Sequence, residues 1–158
     1  MKTKGIIEED FINFKYPSLY ISTAYCDFKC DKESGKNICQ NSLLTKQKNY
    51  TIADDNIIQR YLNNNITKSI VFGGLEPFEQ FDELYQFIKL LRCKYKCMDT
   101  VVIYTGFNKD EIQECLNKLK PLQNIIIKFG RFIPNQNKHF DNTIGVYLAS
   151  DNQYAEYI

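Results

Sequence analysis

The chain has 158 residues, 44% of them hydrophobic and 14% aromatic, a size that points to one domain spanning 1–158 and a composition that excludes intrinsic disorder. Twenty basic residues against nineteen acidic ones leave a formal net charge of +1, so the electrostatic footprint of a nucleic-acid or anionic-membrane binder is absent. No apolar run approaches the ~20 residues of a membrane span. The basic opening lacks the apolar stretch of a secretory signal, and a cytoplasmic protein is expected. Its six cysteines are then read as thiols, ligands or nucleophiles rather than disulfides.

Residues 1–16 are mixed and polar, an extended lead-in. Residues 18–24 are rich in strand formers and give the first strand. A cysteine-bearing loop follows, and residues 40–50 read as connecting loop. Asp54 or Asp55 is placed to cap a helix to about residue 64, with Ile57, Ile58, Tyr61 and Leu62 on one face. Residues 68–73 form a short apolar strand. Helical spacing returns from 78 to about 95, carried by Phe81, Leu84, Tyr85, Ile88 and Leu91. Residues 99–105 form the next strand. Asn108 caps a helix ended by Pro121, and residues 124–129 form another strand. Residues 143–148 are expected as the last one.

Strands that alternate with helices and read as near-continuous apolar runs imply an α/β fold with a mainly parallel sheet. Ligands of such sheets sit at the C-terminal strand ends. Three motifs fall there: Cys26 after the first strand, Gly73-Gly74-Leu75-Glu76-Pro77 after the second, and Tyr104-Thr105-Gly106 after the third. Their coincidence predicts one composite site.

Cys26, Cys30 and Cys39 crowd three soft ligands into one polar stretch, which suits zinc or an iron–sulfur cluster. A structural zinc site is closed by four ligands, and His139, the single histidine, has no evident partner. Three thiolates leave one metal position open. The alternatives are a zinc knob or three unrelated buried cysteines. Gly73 and Gly74 allow close backbone approach to a ligand, and Glu76 offers a carboxylate for an ammonium group; the plainer reading is a strand–helix turn with Glu76 in solvent. Residues 104–107 also read as a plain turn, with Thr105 capping and Gly106 left-handed. Cys93 and Cys97 repeat the spacing of Cys26 and Cys30 without further ligands, and Cys115 reads as core.

Together these residues resemble the radical S-adenosylmethionine superfamily, and most closely the small activating enzymes of anaerobic, glycyl-radical ribonucleotide reductase. The hallmark of that superfamily is three cysteines spaced by three and two residues. Cys26 and Cys30 keep the first spacing; the second is stretched by residues 31–38. The Gly-Gly-Glu-Pro motif is matched by Gly73, Gly74, Glu76 and Pro77, with Leu75 inserted. Residues 102–107, 129–132 and 150–153 look like further segments of the activating enzymes, so the likeness covers most of residues 17–153.

The resemblance implies an incomplete (β/α) barrel, a short radical SAM-type core. It implies a [4Fe-4S] cluster on Cys26, Cys30 and Cys39, and S-adenosyl-L-methionine at Ile38, Gly73, Gly74, Glu76 and Thr105, with no catalytic side chain outside the cofactor site. The implied partners are a glycyl-radical enzyme, anaerobic ribonucleotide reductase, and a flavodoxin or ferredoxin-type electron donor. The implied reaction is reductive cleavage of S-adenosylmethionine to a 5′-deoxyadenosyl radical that takes a hydrogen atom from a glycine. The alternatives are a radical SAM enzyme acting on a peptide or small-molecule precursor, and a non-catalytic 4Fe-4S or zinc module. Too few strands are visible for a full eight-stranded barrel, and an open side would admit a partner's loop.

Overall fold

The apolar runs line up as the parallel centre of one sheet. In the computed structural model, which describes residues 1–158, these are β2 (Ser18–Thr23), β4 (Ser69–Gly74), β5 (Thr100–Tyr104) and β6 (Ile125–Phe129). Each pairs in parallel with the next. The register sets Ile21 beside Phe72, Phe72 beside Ile103 and Ile103 beside Ile127. All four are fully buried. One residue earlier in each strand, Tyr20, Val71, Val102 and Ile126 form a matching row on the opposite face, as the two-residue period of a strand requires.

The first row faces the helices. α2 (Asp54–Leu62) buries Ile57, Ile58 and Tyr61, while Leu62, assigned to the same face, is exposed. α3 (Phe81–Cys93) buries Leu84, Phe87, Ile88 and Leu91, the spacing of one helical stripe. α4 (Gln113–Leu119) adds Leu116 and Leu119. These side chains and the strand row belong to a 21-residue core, each large aliphatic contributing about 1.5–3 kcal/mol by leaving water. Buried Arg92 closes the α3 end of this layer. Its guanidinium donates to the carbonyls of Leu122, Cys97 and Gln123 at 2.9, 2.7 and 3.1 Å, so its charge is solvated by backbone dipoles.

The opposite face carries no helix. It is covered by a smaller cluster that includes Phe14, Ile144 and Leu148. Ile144 and Leu148 belong to a separate hairpin, β7 (His139–Asp141) with β8 (Val146–Leu148). That hairpin corrects the expected last strand at 143–148, which does not join the main sheet.

The sheet has more strands than the sequence revealed. The extended lead-in is β1 (Lys2–Asp10), antiparallel to β2. The presumed loop at 40–50 leads into β3 (Tyr50–Thr51), the two-residue edge beyond β1. At the other edge β9 (Tyr154–Tyr157) pairs antiparallel with β6. The order is β3-β1-β2-β4-β5-β6-β9, a mixed sheet with a parallel centre and no closure between its edges. β1 has a weak local signal because Ile6 and Ile7 are its only large apolar residues, and β9 because it is four residues long. Three helix starts also differ. Ala53 is the N-cap of α2, while Asp54 binds the terminal amine of Met1 at 2.6 Å. A 3-10 turn (Pro77–Gln80) precedes α3, and another (Lys109–Ile112), which Asn108 caps, precedes α4. No helix is long and apolar enough to cross a membrane.

Candidate metal centre

β2 delivers the chain to the first thiol at the C-terminal edge of the parallel strands. Phe28 follows in a left-handed conformation with φ 56°, a bulky residue held at a cost of about 1–2 kcal/mol. That turn aims the Phe28 N–H at Cys26 Sγ, 3.3 Å away. α1 (Lys29–Ser34) then starts, carrying Cys30, and ends at Gly35 with φ 66°. The segment expected as loop is thus partly helical, and its residues 32–37 are exposed.

The chain returns through Asp31. Its Oδ1 accepts the N–H of Ile38 and the N–H of Cys39, each at 2.8 Å. Just beyond, the Asn41 amide donates to the Gly74 carbonyl at 2.7 Å. Cys26, Cys30 and Cys39 therefore line one cavity of about 370 Å³ together with Gly74 and Glu76. Burial pushes the Cys26 thiol up to about 11 and the Cys30 thiol up to about 12, so metal binding at these thiols would release protons.

No three His, Cys, Asp or Glu side chains converge at single-ion distances. An iron–sulfur cluster holds its thiolates further apart than one tetrahedral ion does. Three thiols around a cavity, one already accepting a backbone N–H, fit a cluster better than a closed zinc site.

The second wall is the Gly-Gly turn. Gly74 has φ +82°, and a Cβ there would fall on Ser22 Oγ. Gly73 lies against the Tyr20 ring, whose hydroxyl would sit 2.8 Å from an added Cβ. The Glu76 N–H donates to Tyr25 O at 2.8 Å, which fixes this turn beside the cysteine segment. Glu76 itself is buried, so the solvent-facing alternative is excluded. Its Oε1 accepts from Thr105 Oγ1 at 2.7 Å and from the Phe78 N–H at 3.1 Å. Its Oε2 accepts from the Gly106 N–H at 2.8 Å. Burial raises this carboxyl to about 7, against the pull of those donors.

Of the other expected site residues, Thr105 lines the cavity and also accepts the Phe107 N–H at 3.0 Å. Ile38 and Gly73 are not among the lining residues. Gly106 is not left-handed; the positive φ belongs to Gly74.

Two lining residues, Tyr20 and Lys128, carried no sequence signal. With Tyr104 of the third strand-end motif, they come from the helix-free face of β2, β5 and β6. Lys128 is buried, donates to Gly130 O at 3.0 Å, and is lowered by burial to about 8. Arg131 makes a bidentate pair with Glu111, 2.7 Å to each oxygen, and lies 3.1 Å from Glu33 of α1. Lys29 also contacts Glu111, so α1 is tied to the sheet by charge. The two C-terminal segments singled out in the sequence hold each other: Asn152 donates to Arg131 O at 2.9 Å and Gln153 to Gly130 O at 3.2 Å. Cys93, Cys97 and Cys115 lie outside the cavity.

Residues 17–153 match a family model described as the 4Fe-4S single cluster domain. No curated protein and no solved structure matches the chain.

Proposed function

The chain belongs to the 4Fe-4S single cluster domain family, and from that premise we propose that it is an iron–sulfur enzyme of the radical S-adenosylmethionine type. The observation that carries the reading is a set of three thiols, with no fourth such ligand beside them, on one cavity with the buried carboxylate Glu76. Cys26, Cys30 and Cys39 would hold three irons and leave the fourth without a protein ligand. When bound and reduced, the cluster supplies the electron that splits the sulfonium bond of S-adenosylmethionine.

The chain's own residues bind and orient. Glu76 has three protein donors, and a carboxylate offers about four acceptor sites; the fourth is available to the ligand's ammonium. Thr105 and the Gly106 N–H hold that carboxylate in place. The Gly74 backbone lies at the cavity without a side chain. Lys128, with a single protein acceptor, complements a carboxylate on the same ligand. The wide sense of an incomplete barrel fits the open sheet and its helix-free face.

The target is a glycine on a partner, a glycyl-radical enzyme such as anaerobic ribonucleotide reductase, with electrons from a flavodoxin or ferredoxin-type donor. The favouring feature is an accessible cavity mouth, where Tyr147 is 72% exposed. The test is 5′-deoxyadenosine formation by protein reconstituted anaerobically with iron and sulfide, reduced, and given S-adenosylmethionine, with Cys39→Ala in parallel. Product from the wild type alone is expected. A cluster that yields no product, with or without a glycyl-radical protein, would make this a non-catalytic iron–sulfur module.

A further inference from the structure

Residues 31–38 separate Cys30 from Cys39, a distance along the chain that by itself leaves the third thiol unplaced. Nothing apolar fixes the excursion, since α1 buries no residue and residues 32–37 are exposed. One side chain cinches its neck. Asp31 stands directly after Cys30, and its Oδ1 takes both the Ile38 and the Cys39 N–H groups at 2.8 Å. The Cys30 thiol also lies 3.9 Å from the same oxygen. A carboxylate that accepts two backbone N–H groups forms strong, directional bonds, and it makes a long loop behave locally like a short one.

We infer that Asp31 is a positioning residue: it brings the Cys39 thiol to the cavity by gathering the backbone on either side of residues 32–37. It acts through the backbone and is not itself a ligand. The inference rests on the reading of Cys39 as a cluster ligand.

Because one oxygen accepts both bonds, the position of that oxygen sets the arrangement, and the charge only strengthens the bonds. The Asn side chain keeps an oxygen at that position; Glu keeps the charge but moves it by one methylene; Leu removes the acceptor. Asp31→Asn, Asp31→Glu, Asp31→Leu and Cys39→Ala are reconstituted anaerobically as full chains. Iron per chain and visible cluster absorbance are followed against a chelator, and the unreconstituted proteins are melted alongside. Asp31→Asn retains the cluster as the wild type does. Asp31→Glu and Asp31→Leu lose it about tenfold faster, the lower range for residues that orient metal ligands, while their unreconstituted melting matches the wild type. Full retention by Asp31→Leu beside loss in Cys39→Ala overturns the role of Asp31 alone. Retention by Asp31→Glu with loss in Asp31→Asn also overturns it, in favour of a charge effect. Full iron in Cys39→Ala overturns the ligand assignment itself, and this inference with it.

Discussion

Glu76→Gln separates the two jobs assigned to Glu76. Both carboxylate oxygens are occupied by donors, Oε1 by Thr105 and Phe78 and Oε2 by Gly106. An amide presents one oxygen and one NH2, so one orientation faces the Gly106 N–H with a donor and the other faces Thr105 and Phe78. The site is buried, and a buried donor left without an acceptor costs about 1–3 kcal/mol. Taking about 2 kcal/mol, and about 2–4 °C per kcal/mol for a chain of this size, the unreconstituted protein melts roughly 6 °C lower. Circular dichroism under anaerobic, reducing conditions reads this without cofactor. Binding of S-adenosylmethionine to the reconstituted protein reads the second job. Losing the carboxylate charge that faces the ligand's ammonium lowers affinity about tenfold, equivalent to about 1.4 kcal/mol. Unchanged melting would refute the three-donor account of Glu76; unchanged affinity beside lowered melting would leave that account standing and refute the placement of the ligand's amino group.

Gly74→Ala forces a Cβ into a φ +82° backbone and onto Ser22 Oγ; a loss of about 2 kcal/mol or more in unfolding free energy is expected from urea titration, the left-handed backbone accounting for about 1–2 kcal/mol of it. Adding Ser22→Ala recovers only the steric part, and a neutral Gly74→Ala would contradict the close approach of β2 and β4. The hydrogen bonds from Arg131, with help from Lys29, lower the Glu111 carboxyl from its ordinary 4.5 to about 2. A depressed folded value means stabilisation that is complete above 4.5 and lost as pH falls toward 2. The stability gap between wild type and Glu111→Gln therefore closes across that window, and a gap independent of pH would mean that Glu111 does not tie α1 to the sheet by charge.

What could be read in the sequence was what local pattern fixes. β4 is buried on both faces, so Ile70, Val71 and Phe72 run apolar without alternation. α3 shows its stripe because a helix buries one side. The thiols and the Gly-Gly-Leu-Glu-Pro turn stood out because few residue types perform their chemistry. Tertiary structure alone decided the rest. β1 and β9 are strands because β2 and β6 offer them edges, not because their own residues demand it. Glu76 is buried because Thr105 and Gly106, on the next strand's end, supply its donors. Arg92 and Arg131 matter through carbonyls and a carboxylate from other elements. The spacing of Cys30 and Cys39 named the ligand candidates, but only the fold shows a side chain gathering the two ends of the intervening loop. Each of these depends on partners brought together by chain closure, and a one-dimensional pattern does not record which groups will meet.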